Sequence, residues 1–91
     1  MTYKNLNGTS DRNCPNGYSS WLNYYMTQNG LRVTPQCGHK GCTNLATVGA
    51  HVKKAESVDN SWYIIPSCFS CNRTSTPFEI NANVSPVRVR T

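Results

Sequence analysis

Four cysteines in two short pairs are the residues of this chain best suited to chemistry. The first pair is Cys37-Gly38-His39-Lys40-Gly41-Cys42. The second is Cys68-Phe69-Ser70-Cys71, with Asn72 directly after it. Between them runs Thr47-Val48-Gly49-Ala50-His51-Val52. Two close cysteine pairs separated by about one hairpin suit a four-thiolate zinc site. Cys37, Cys42, Cys68 and Cys71 are therefore assigned to one structural zinc per chain. His39 is an alternative to one of the thiolates. Cys14 is left over and reads as a small core residue; a free thiol and a substitute ligand are its other readings.

Each spacing has a physical reason. Two residues between cysteines at the start of a helix let both sulfurs face one ion at about 2.3 Å. The amides and positive dipole end at a helix start also favour thiolate. The four-residue spacer of the first pair is looser, and its two glycines permit a tight loop. Zinc deaminase chemistry does not fit. It needs His-x-Glu and Pro-Cys-x-x-Cys. His51 is instead followed by Val52 and Lys53, and Ser67 separates Pro66 from Cys68.

The elements that must position these cysteines come from a single small domain, residues 1–91. Only 37% of its 91 residues are hydrophobic, so the core must be thin. A metal or disulfides commonly supplement such a core. No stretch approaches transmembrane length, and the N-terminus lacks the apolar run of a signal peptide. These features point to a cytoplasmic protein with reduced thiols and no membrane partner, and five cysteines suit a metal better than closed disulfides. The rival is a secreted disulfide scaffold.

Residues 1–17 read as an irregular arm, rich in Asn and Gly. Residues 19–28 read as a helix, capped by Ser19 or Ser20 and stopped by Asn29-Gly30. Trp21 and Tyr25 supply its packed face. Leu31 to Pro35 reads as a short extended piece. Ala46 to Lys53 and Ser61 to Pro66 read as two strands of a hairpin. Ser67 offers a cap for a short helix over Cys68 to about Ser75. Phe78 to Ile80 and Val84 to Val89 read as late strands closing one edge. The fold class is α+β, with residues 37–75 as the zinc core.

Gly-Ala-His-Val at 49–52 and Trp-Tyr-Ile-Ile-Pro-Ser-Cys-Phe-Ser-Cys-Asn at 62–72 resemble the HNH, or ββα-metal, treble-clef superfamily. The resemblance covers roughly residues 37–75. It is also similar to small bacterial proteins with a Gly-Ala-His-Val strand and a Tyr-Ile-Ile-Pro run, a group with no secure activity. The resemblance implies a knuckle, a β-hairpin and a short helix around a structural zinc, to which the helix read over residues 19–28 adds an N-terminal helix. It places His51 at the general-base histidine. It places Asn72 at the residue that holds a second divalent cation at the scissile phosphate. Two positions depart from the nuclease pattern. Ala50 stands where active nucleases often have Asp, and Tyr63 stands where the motif has its central Asn. Asp59 and Asn60 are near that position but out of register. Without a carboxylate a hard cation has few ligands, and with Tyr63 at the Asn position the motif supplies no obvious residue to orient His51.

The formal net charge is +5, compatible with phosphate binding. Lys53 and Lys54 follow the His51 strand, where HNH proteins meet DNA, and Arg73 follows Asn72. Three functions are thus in view. The first is a non-catalytic zinc module that binds DNA, RNA or a protein partner. The second is a metal-dependent endonuclease with His51 as base. The third is a structural or protein-interaction domain without nucleic-acid affinity. The missing carboxylate favours the first over the second, and the charge favours the first over the third.

Overall fold

The computed structural model describes residues 2–6 and 13–89. The described residues fold into a small α+β unit with one antiparallel sheet and two short helices. The strands are β1 (Thr2–Asn5), β2 (Val48–Lys54), β3 (Tyr63–Ser67), β4 (Phe78–Glu79) and β5 (Val87–Arg88). The helices are α1 (Trp21–Gln28) and α2 (Phe69–Asn72). Across the sheet the order is β4-β1-β2-β3-β5. Among the described residues no helix is long and apolar enough to cross a membrane.

The β2–β3 hairpin is the centre of the molecule. Val48 pairs with Ser67, Ala50 with Ile65, His51 with Ile64 and Val52 with Tyr63. Side chains alternate between the two faces of a strand. Ala50, Val52, Ile65 and Tyr3 accordingly form a buried cluster on one face, flanked by Tyr63, Phe78, Ile80 and Val84. His51 and Ile64 point to the other face, which α1 covers. Ser20 caps α1, its hydroxyl accepting from the Asn23 N–H at 3.0 Å. Tyr25 is the buried residue of that helix, and Trp21 is half-buried.

Gly49 explains how closely α1 lies on β2. A Cβ there would sit 2.5 Å from the Trp21 carbonyl carbon and 2.6 Å from the Leu22 nitrogen. Both are backbone atoms, so only glycine fits.

The N-terminal segment departs from the arm expected over residues 1–17. Thr2–Asn5 is a strand lying between β2 and β4. Tyr3 pairs with Lys54, Lys4 with Lys53 and Asn5 with Val52. The β2 edge needed a partner for its backbone groups, and a polar four-residue strand with one buried tyrosine supplies it. Part of the expected arm, residues 7–12, lies outside the described residues. Residues 13–17 are in neither helix nor strand.

Three smaller differences follow from pairing and capping. β3 runs on through Pro66 and Ser67, so the cap of α2 is Cys68 and the helix ends at Asn72. Pro66 is tolerated there because β5 pairs only with Tyr63 and Ile64. Residues 31–35 form no strand, and the chain bends at residues 32 and 33. The late strands close opposite edges of the sheet, β4 on β1 and β5 on β3.

Candidate metal centre

The first cysteine pair sits in a loop closed by backbone bonds at its base. The Ala46 N–H donates to the Pro35 carbonyl at 2.9 Å, and the Cys37 N–H to the Asn44 carbonyl at 2.7 Å. At its tip the Cys42 N–H donates to the His39 carbonyl at 3.0 Å. Gly41 takes φ +85° beside that turn, a conformation disfavoured for side-chain-bearing residues. The loop is docked on the sheet by the Gly38 N–H, which donates to the Pro66 carbonyl at 2.8 Å. Asn81 holds it from the other side, its Nδ2 donating to the Cys37 and His39 carbonyls at 3.2 Å each.

The second pair comes from the end of β3 and from α2. Cys68 caps the helix, its Sγ accepting from the Cys71 N–H at 3.4 Å. Hairpin, loop and helix thereby bring Cys37, Cys42, Cys68 and Cys71 together, with all four Sγ atoms within 4.8 Å of one another. Cys42 and Cys68 Sγ are 3.9 Å apart. No disulfide joins them. A tetrahedral site with metal–sulfur bonds of about 2.3 Å has sulfurs about 3.8 Å apart. The four cysteines are positioned to chelate one metal ion, and four sulfur donors in a tetrahedron suit zinc or iron.

The electrostatics of the thiols agree with a shared ligand set. The Cys68 thiol is lowered to about 7, chiefly because it accepts the Cys71 backbone N–H. Burial is the largest influence raising Cys37. Burial also raises Cys71, helped by the hydrogen bond it shares with Cys68. Four adjacent thiols without a cation cannot all ionise, because each thiolate repels the next. A bound dication reverses that balance and deprotonates them together.

Neighbouring polar groups hold the sulfurs in place. Asn44 Nδ2 lies 3.9 Å from Cys68 Sγ. Ser67 Oγ lies 4.0 Å from Cys37 Sγ and donates to the Cys68 carbonyl at 3.0 Å. From β1, Asn5 Nδ2 donates to the carbonyls of Cys71 (3.0 Å) and Thr74 (2.8 Å). Sequence reasoning missed Asn5, because nothing local links it to a helix 66 residues away. Asn44 carried a weak signal, lying two residues beyond Cys42.

The two alternative metal ligands lie outside the cluster. His39 is buried, and its ring stacks on Phe78 with centroids 3.6 Å apart. Burial lowers its pKa and keeps it neutral. The half-buried Cys14 Sγ donates to the Tyr18 carbonyl at 3.2 Å.

His51 and Asn72 occupy different surroundings. His51 is only 7% exposed. Its ring packs edge-on against Trp21 (4.6 Å between centroids) and Trp62 (6.0 Å) on the α1 face. Asn72 ends α2. Asn5 shares its face of the sheet with Val52 and binds the carbonyls on either side of Asn72. The register thus sets His51 and the end of α2 on opposite faces of the sheet. Ala50 faces the core beside Val52 and Ile65.

The basic residues named from the sequence also differ. Lys54 Nζ is 3.4 Å from Asp59 Oδ2 and 5.3 Å from the centre of the Tyr63 ring. Lys53 lies opposite Lys4. Arg73 is exposed, with its guanidinium 5.4 Å from the centre of the Phe69 ring. Comparison with protein-family models, curated proteins and solved structures gives no match to this chain.

Proposed function

We propose that this is a zinc-binding treble-clef domain of HNH type, non-catalytic, that binds nucleic acid. The observation that carries the zinc reading is the convergence of four sulfurs within 4.8 Å. Its order supports the treble-clef reading: cysteine loop, β2–β3 hairpin, then a helix opening on Cys68. Zinc in such a site is structural, since four thiolates leave no open position for substrate.

Two features favour a non-catalytic domain. A general base must reach the attacking water, whereas His51 is wedged between two indoles. A nuclease cation needs its ligands on one side, whereas His51 and the end of α2 lie on opposite faces. A second divalent cation near His51 is therefore not part of this reading.

The nucleic-acid reading rests on charge. Among the described residues, ion pairs join Lys40 to Glu79 and Lys54 to Asp59. Lys4, Arg32, Lys53, Arg73 and Arg88 have no such partner there. A surface with surplus cations favours a polyanion.

The test has two parts. Native mass spectrometry before and after denaturation should show one zinc per folded chain, lost on unfolding. Disulfide-linked masses, two units lighter per pair, would remove the zinc reading. Affinity for mixed-sequence DNA and RNA should fall steeply with salt. Absence of binding at low salt would leave a structural or protein-interaction domain. Cleavage of DNA that depends on His51 would overturn the non-catalytic assignment.

A further inference from the structure

We propose that Lys4 and Lys53 form a phosphate-binding pair for the backbone of a nucleic acid, on the sheet face that carries His51. The inference rests on the nucleic-acid reading above and locates its contact. Lys4 and Lys53 are directly opposed in the β1–β2 ladder. Residues so opposed project to the same face, with Cβ atoms about 5 Å apart. Alternation from His51 puts Lys53 on the His51 face. Lys4 is exposed and Lys53 half-buried.

Like charges directly opposed across two strands destabilise a sheet. Such a pair is usually relieved by an acid nearby. The chain supplies one at the adjacent position, where Lys54 meets Asp59. It supplies none to Lys4 or Lys53 among the described residues. Among the described residues the repulsion between Lys4 and Lys53 is therefore uncompensated, and a bound anion would relieve it. Two ammonium groups on neighbouring strands can straddle one phosphate. Lysine acts there as a point charge, so the contact fixes position without reading bases.

Arg88 on β5 shares the face of Tyr63, and Arg73 follows the end of α2, so both lie on the face opposite the lysine pair and belong to no common contact with it. The pair alone is assigned to the phosphate, and Arg73 serves as the comparison from the other face.

The test uses the full-length, metal-loaded protein and fluorescein-labelled duplex and single-stranded oligonucleotides of mixed sequence. Binding is followed by anisotropy across a salt series. The double variant Lys4→Gln/Lys53→Gln should bind about tenfold more weakly at low salt, with the slope of log affinity against log salt smaller by about one. Lys4→Arg/Lys53→Arg should retain binding. Lys40→Gln, which removes a lysine already paired with Glu79, should stay within about twofold of the parent. Lys53→Glu should raise the thermal midpoint of the free protein while weakening binding, since it turns repulsion with Lys4 into attraction. If the Gln double variant binds like the parent while Arg73→Gln binds weakly, the pair is not the contact and the nucleic-acid reading stands. Polyglutamate binding as tightly as the oligonucleotides overturns the phosphate assignment. If the parent binds neither duplex nor single strands at low salt, the nucleic-acid reading fails with it.

Discussion

Asn5 ties the N-terminus to the metal centre. Its amide donates to two carbonyls at the end of α2, those of Cys71 and Thr74, from a position that is itself buried. Removing that amide leaves both carbonyls without this donor. Asn5→Ala should therefore lower stability by about 1–3 kcal/mol in chemical denaturation. Metal content should remain at one ion per chain, because no sulfur ligand is altered. Asp59 is the other residue with a local consequence. It is held well below the usual carboxylate range by the Ser61 hydroxyl and N–H, and then by the Tyr63 hydroxyl. A depressed carboxyl contributes stability above its ordinary value near 3.8, and that contribution is lost as pH falls through its folded value. The Ser61 amide, which donates to Asp59 Oδ1 at 2.9 Å, should report this pairing by NMR at neutral pH, where the fold is intact. Asp59→Asn should shift that amide resonance and lower the thermal midpoint at neutral pH, where Asp59 is ionised. The cysteines were legible in the sequence because ligand spacing is local. Asn5 was not, because its partners are 66 and 69 residues away.

The same division holds for the elements. The hairpin was legible because Gly-Ala-His-Val and Trp-Tyr-Ile-Ile carry strong strand signals. α1 was legible from its serine cap and its Asn29-Gly30 stop. β1 was hidden because only Thr2 and Tyr3 of its four residues are strand formers, and the polar Lys4 and Asn5 follow them. Its conformation is imposed by the open edge of β2, a tertiary effect that outweighs propensity. β4 and β5 were foreseen, but their placement on opposite edges depends on pairings that no local pattern encodes. Gly49 links the hairpin to α1. Ala at 49 would drive its Cβ into the Trp21 and Leu22 backbone, and a helix backbone cannot swing aside as a side chain can. Gly49→Ala should cost at least about 1–3 kcal/mol, as overpacked sites do. The near-UV signal of Trp21 should change with it, because α1 must lift from His51. Ala at Gly30 provides a contrast: its Cβ meets no atom within 4 Å, so only the strain of φ +66° applies.

At the scale of the whole molecule, the apolar cluster of Tyr3, Ala50, Val52 and Ile65 is small for a chain of 91 residues. The four-cysteine cluster joins segments that the core does not hold, and an ion bound there would compensate for the thin core. Cys37 and Cys42 come from a loop docked on Pro66, and Cys68 and Cys71 from the turn into α2 that Asn5 binds. Removing the ion leaves four thiols in contact, and the cluster can then relax only by moving loop and helix apart. That motion breaks the contacts of β1 and β3 with them, so loss of metal and loss of fold should be one event. Structural zinc sites contribute on the order of 10 kcal/mol, comparable to the entire stability of an ordinary domain. Chelation at neutral pH should consequently abolish the near-UV signal of Trp21 and Trp62 together with the far-UV strand signal, at one chelator midpoint. Acid should act in the same direction, since protons compete with the ion for each sulfur and metal is released as pH falls. Restoring zinc should restore both signals. A near-UV spectrum that survives chelation would mean that the sheet and α1 stand without the ion, and the metal would then be an accessory to this fold.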